Sequence, residues 1–121
     1  MKVSASLKEL AKLGDAIVNF TVSAALTLRD GRPWGVKVPD SVLRAVSKRV
    51  GIRSLSALKP EDVLEAVIAY AWLKGFSVEE MVKITLRGME KGGVEDGLAI
   101  LTQHLSPYVR ELLALRGESR V

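Results

Sequence analysis

Three carboxylates, Asp15, Asp62 and Glu65, stand out for the chemistry they could do. Asp15 is the single charged residue in LGDAIVNFTVSAALTL, residues 13–28. Burying an ionised aspartate without a partner is costly. Asp62 and Glu65 open the apolar stretch PEDVLEAVIAYAW, and their spacing of three places both on one face of a helix. If the two stretches are helices that cross there, three oxygen donors converge. Hard cations such as Mg2+ and Mn2+ take such donors. An ion of this kind can activate water and stabilise charge on a phosphate in transfer. A structural alternative stands beside this reading. Acids in the first turn of a helix complement its dipole, and Lys12 or Lys8 could pair with Asp15.

The elements that would carry these acids are helical. Residues 6–28 read as one long helix, with a stripe of apolar residues at first and apolar residues almost all round from Leu13, as in an enclosed central helix. Gly and Pro make 30–35 a loop. Asp40 or Ser41 is the expected N-cap of a second helix that stops at Gly51. Pro60 suits the first turn of a third helix, and Glu61 and Asp62 suit its positive end. Ser77 with Glu80 three residues later predicts a capping box for a fourth. A last helix runs from Val94 toward Arg116, bent at Pro107, and Glu118 to Val121 form a loose end. Gly35-Val36-Lys37-Val38 is the one strand candidate, and it is short and isolated. The expectation is an all-α bundle of about five helices forming one domain over residues 1–121.

Composition narrows the function. The chain has no cysteine, which excludes a thiolate zinc site and a Cys nucleophile and fits an intracellular, cytoplasmic protein. The start, MKVSASLKEL, lacks the apolar core of a secretory signal. The longest weakly charged run contains Asp15, Asn19, Thr21, Ser23 and Thr27 and is too polar for a membrane span. Positive charge gathers between Arg29 and Lys59, which favours a polyanionic partner. A solvated surface balanced by acids elsewhere is the alternative. Glycine spacing for a phosphate loop is absent.

Leu10-Ala11-Lys12-Leu13-Gly14-Asp15-Ala16 resembles the Gly-Asp-Ala signature helix of the ribonuclease III family. Asp62-Val63-Leu64-Glu65-Ala66 resembles that family's second motif, Asp-x-x-Glu-Ala before apolar residues. The motifs come in the family's order and anchor residues from about Leu7 to Gly75. The pattern is similar to the stand-alone catalytic domain of mini-ribonuclease III and of archaeal-type relatives, without a separate double-stranded-RNA-binding domain. The resemblance implies a metal-dependent endoribonuclease that cleaves double-stranded or structured RNA as a homodimer. By carry-over, Asp15, Asp62 and Glu65 are its metal ligands and catalytic acids, with Mg2+ or Mn2+ as cofactor. Gly14 would let a neighbouring helix approach closely.

Two positions depart from the family pattern. The bacterial enzyme has a glutamate one turn before the Gly-Asp aspartate, and Ala11 stands there in this chain. A further glutamate seven residues before the aspartate is Lys8. One expected ligand is therefore missing, and a non-catalytic RNA-binding protein on the same scaffold is the second reading. A helical protein-interaction module is the third.

Duplex RNA is held largely through phosphate and 2′-hydroxyl contacts. Arg44, Lys48 and Arg49 fall at helical spacing, and Arg53 and Lys59 precede the Asp62 helix, so these five are the RNA-binding candidates. Lone His104 reads as a surface or packing residue. Trp34 reads as a cap on the core, and Tyr70 and Trp72 as core packing. Leu98, Leu101, Leu105, Val109 and Leu112 form either core or dimer seam.

Overall fold

The computed structural model describes residues 5–118. Among them are six α-helices and no β-strand: α1 (Leu7–Asp30), α2 (Asp40–Val50), α3 (Pro60–Leu73), α4 (Val78–Gly88), α5 (Val94–His104) and α6 (Ser106–Glu118). A single 3-10 turn, Met89–Lys91, follows α4. The all-α expectation holds. The expected long last helix is two helices, because the chain breaks at Leu105 just before Pro107 rather than bending through it. Most of the expected loose C-terminal end, residues 119–121, lies outside the described residues.

The helix ends follow from local chemistry. Ser6 Oγ accepts the Glu9 N–H at 3.1 Å, and the Glu9 carboxylate accepts the Ser6 N–H at 3.0 Å. This reciprocal cap starts α1, and it holds the Glu9 carboxyl below the usual range. Gly31 and Gly51 end α1 and α2 at φ of 70° and 82°, a left-handed turn that glycine makes without strain. Pro39, rather than Asp40 or Ser41, occupies the N-cap of α2, and no side chain caps it. Pro60 opens α3, and Ser77 Oγ accepts the Glu80 N–H at the start of α4.

The apolar helix α3 lies at the centre. From Val63 through Ala71 every residue is buried. Helix α1 makes the most extensive packing with it, and α2 and α6 also lie against it, while α4 packs on α1 and α5, and α5 on α2. Leu98, Leu101, Leu105 and Leu112 belong to the core, with Val109 packed against it. Tyr70 is buried and donates its hydroxyl to Glu111 on α6. Trp72 departs from the expected core role, since 41% of it is exposed at the end of α3. Trp34 caps the core, with its indole N–H on Asp30 and Arg32 over its ring. His104 is exposed.

Helix α1 is not enclosed all round. Leu13, Phe20 and Leu28 form an exposed apolar row on it. A polar row beside them has a specific use. Thr27 Oγ1, Ser23 Oγ and Asn19 Oδ1 accept the backbone N–H groups of Trp34, Val36 and Val38 at 2.9, 2.9 and 2.8 Å. Spaced by four, these side chains act on the extended segment 34–38 as a neighbouring strand would. That is why the strand-like run Gly35–Val38 has no strand partner. Asp15 continues the row one turn earlier, and its carboxylate meets Lys37 at 3.5 Å.

Candidate active site

The crossing of α1 and α3 sets the site. Gly14 is buried against the backbone of Glu65, and a Cβ on it would lie 1.8 Å from the Glu65 carbonyl oxygen. No other residue type allows that approach. The next residue, Asp15, is thereby carried to the N-terminal part of α3, where Asp62 and Glu65 lie one turn apart. All three carboxylates line one open cavity of about 510 Å³, together with Lys8, Lys12 and Lys37. Ala11 lies in the same wall, so the position that carries a glutamate in the bacterial pattern faces the cavity without a donor.

The three acids differ in setting. Asp15 and Asp62 are partly exposed, whereas Glu65 is buried, with 5% of its surface reachable by solvent. Burial pushes the Glu65 carboxyl up to about 8, with a side-chain hydrogen bond to Asp15 and the negative charges of Asp15, Asp62 and Asp40 adding to the effect. Its Oε2 atom is buried and has no hydrogen-bond partner. A buried carboxylate oxygen left this way costs free energy unless it is protonated or meets a cation.

The donor chemistry suits a hard divalent cation. As the side chains stand, no three acidic or histidine groups among the described residues are gathered closely enough to hold one ion. Asp15 turns to Lys37, not to Lys12 or Lys8. A cation on these acids therefore requires Asp15 to exchange its lysine for the ion. Lys37 was not legible as a site residue, because it reaches the cavity only through the docking of segment 34–38 on α1.

The five basic candidates separate into three settings. Arg44, Lys48 and Arg53 line a second cavity, of about 520 Å³, beside the entry to α3. Arg44 grips the buried Glu61 carboxylate with two N–H groups at 2.6 and 3.1 Å, which holds the Glu61 carboxyl below the usual range. Arg49 points instead to α5, pairing with Asp96 at 2.7 Å and Glu95 at 3.6 Å. Lys59 is the exposed N-cap residue of α3. Helical spacing thus placed Arg44 and Lys48 around one hollow but not Arg49 with them.

The fold and site define an all-helical domain whose two crossing helices bring acids to a cavity rimmed by lysines. The family model described as Ribonuclease III matches residues 8–111. The chain belongs to the ribonuclease III family, a family of RNA endonucleases that typically use divalent metals. No curated protein matches it. No helix among the described residues is long and apolar enough to cross a membrane.

Proposed function

We propose that this protein is a metal-dependent endoribonuclease that hydrolyses phosphodiester bonds in double-stranded or structured RNA. The observation that carries the reading is the convergence of Asp15, Asp62 and Glu65 on one cavity, with the Glu65 Oε2 atom buried and unpartnered. These three acids would hold Mg2+ or Mn2+. When held there, such an ion would supply Lewis acidity for activating a water and offsetting charge on the phosphate. The chain supplies position. Gly14 seats Asp15 against α3, and burial fixes the Glu65 carboxylate so that it does not reorganise when substrate arrives.

The basic hollow formed by Arg44, Lys48 and Arg53 offers phosphate contacts away from the acids. The exposed row Leu13, Phe20 and Leu28 suits burial against a second copy of the chain, as a homodimer requires. Cleavage of an RNA duplex that disappears in Asp15→Asn and Glu65→Gln is the test of the catalytic assignment.

A second reading has an observation of its own. Ala11 and Lys8 stand in the cavity wall where the bacterial pattern has glutamates. A chain that binds duplex RNA and does not cut it would follow if three acids are too few. Wild-type protein that binds but leaves the duplex intact would favour this reading.

A further inference from the structure

We propose that Lys8 and Lys12 form a phosphate-binding rim on the carboxylate cavity and contact the RNA backbone directly. The inference rests on the RNA-directed reading above and deepens it. Lys8, Lys12 and Asp15 are spaced by four and three on α1, so they share one face. That face looks onto the cavity that Asp62 and Glu65 line from α3.

Both lysines are exposed, and neither has an ion pair among the described residues. Cations present only to neutralise the acids would pair with the nearest one. Asp15 is instead paired with Lys37, from a different segment. Lys8 and Lys12 line the cavity without an ion pair to its acids, and the Lys12 charge acts on Glu9 one turn earlier only at longer range. An ammonium group on a flexible stem binds phosphate as a point charge.

Charge favours the same conclusion. The cavity holds three carboxylates and three ammonium groups. An all-acid cavity attracts further cations, whereas this mixed one complements an anion lying beside a cation. A phosphodiester next to a divalent ion has that character. The cavity, about 510 Å³, is larger than one hydrated ion fills. Lys8 thus places fixed positive charge where the family's bacterial pattern places a cation-binding acid.

The test is binding of a short RNA duplex in EDTA, where cleavage cannot interfere. Wild type is compared with Lys8→Ala/Lys12→Ala and with Lys83→Ala/Lys91→Ala, an equal loss of charge at exposed positions outside the cavity. All four positions are exposed, and circular dichroism checks that the folds match. The rim predicts that the Lys8/Lys12 variant binds about tenfold or more weaker than the control variant. Its salt slope should shrink by about two, one for each lost phosphate contact. Equal affinity and slope in the two variants would overturn the rim and leave the RNA reading standing. A wild type that binds no duplex at low salt would overturn both.

Discussion

Gly14 and Glu65 meet backbone to backbone where α1 crosses α3, so close that a Cβ on Gly14 would lie 1.8 Å from the Glu65 carbonyl oxygen. The contact joins the two helices that carry the acids. Gly14→Ala must push the helices apart and should destabilise the protein by at least about 2 kcal/mol. Thermal unfolding measures the loss. A variant as stable as wild type would mean that the helices do not cross this closely.

Glu65 has a pH signature. Its carboxyl is raised to about 8 in the folded protein, above the ordinary glutamate range. The folded state therefore holds the proton more tightly than the unfolded state, and this residue's cost to stability appears as pH rises from the ordinary range to about 8. Glu65→Gln should raise the melting temperature of metal-free protein at about pH 9 and change it little at about pH 4. A stabilisation equal at both pH values would show that charge burial is not the cause.

Arg44 acts on stability before it acts on any ligand. Its guanidinium donates two bonds to Oε2 of the buried Glu61 carboxylate, whose Oε1 atom has no hydrogen-bond partner. Arg44→Ala strands that charge. The Glu61 carboxyl is lowered in the folded state, so the pair's contribution is present above the ordinary glutamate range and is lost as pH falls through the lowered value. Arg44→Ala should accordingly destabilise at neutral pH and much less in acid. Lys48 and Arg53, which have no such partner among the described residues, are the cleaner probes of RNA contact in that hollow.

Phe20 tests the assembly. It is 58% exposed on the α1 row with Leu13 and Leu28. Sedimentation should find a wild-type dimer and a Phe20→Asp monomer with an unchanged helical spectrum. A monomeric wild type would remove this row as a dimer surface.

Much of this arrangement was legible in the residues. Asp62 and Glu65 share a face because three residues separate them on a helix, and Gly14 before Asp15 signals a close crossing. Lys37 was not legible. Its pairing with Asp15 depends on segment 34–38 docking along Asn19, Ser23 and Thr27, a long-range use of side chains that resembled mere interruptions of an apolar helix. The exposed side of α1 was hidden because a helix with apolar residues on most faces looks enclosed, whereas Leu13, Phe20 and Leu28 face out. Glu61 read as a dipole complement at the start of α3. Its burial against Arg44 arises from the packing of α2 on α3, which local spacing does not encode.

The central claim is that Asp15, Asp62 and Glu65 act together on RNA. The most direct measurement is cleavage of a long RNA duplex with Mg2+ or Mn2+, wild type beside Asp15→Asn and Glu65→Gln. The account predicts cleavage by wild type and its loss in both variants, with duplex binding retained. Undiminished cleavage in either variant, or duplex bound and left intact by wild type, would contradict it.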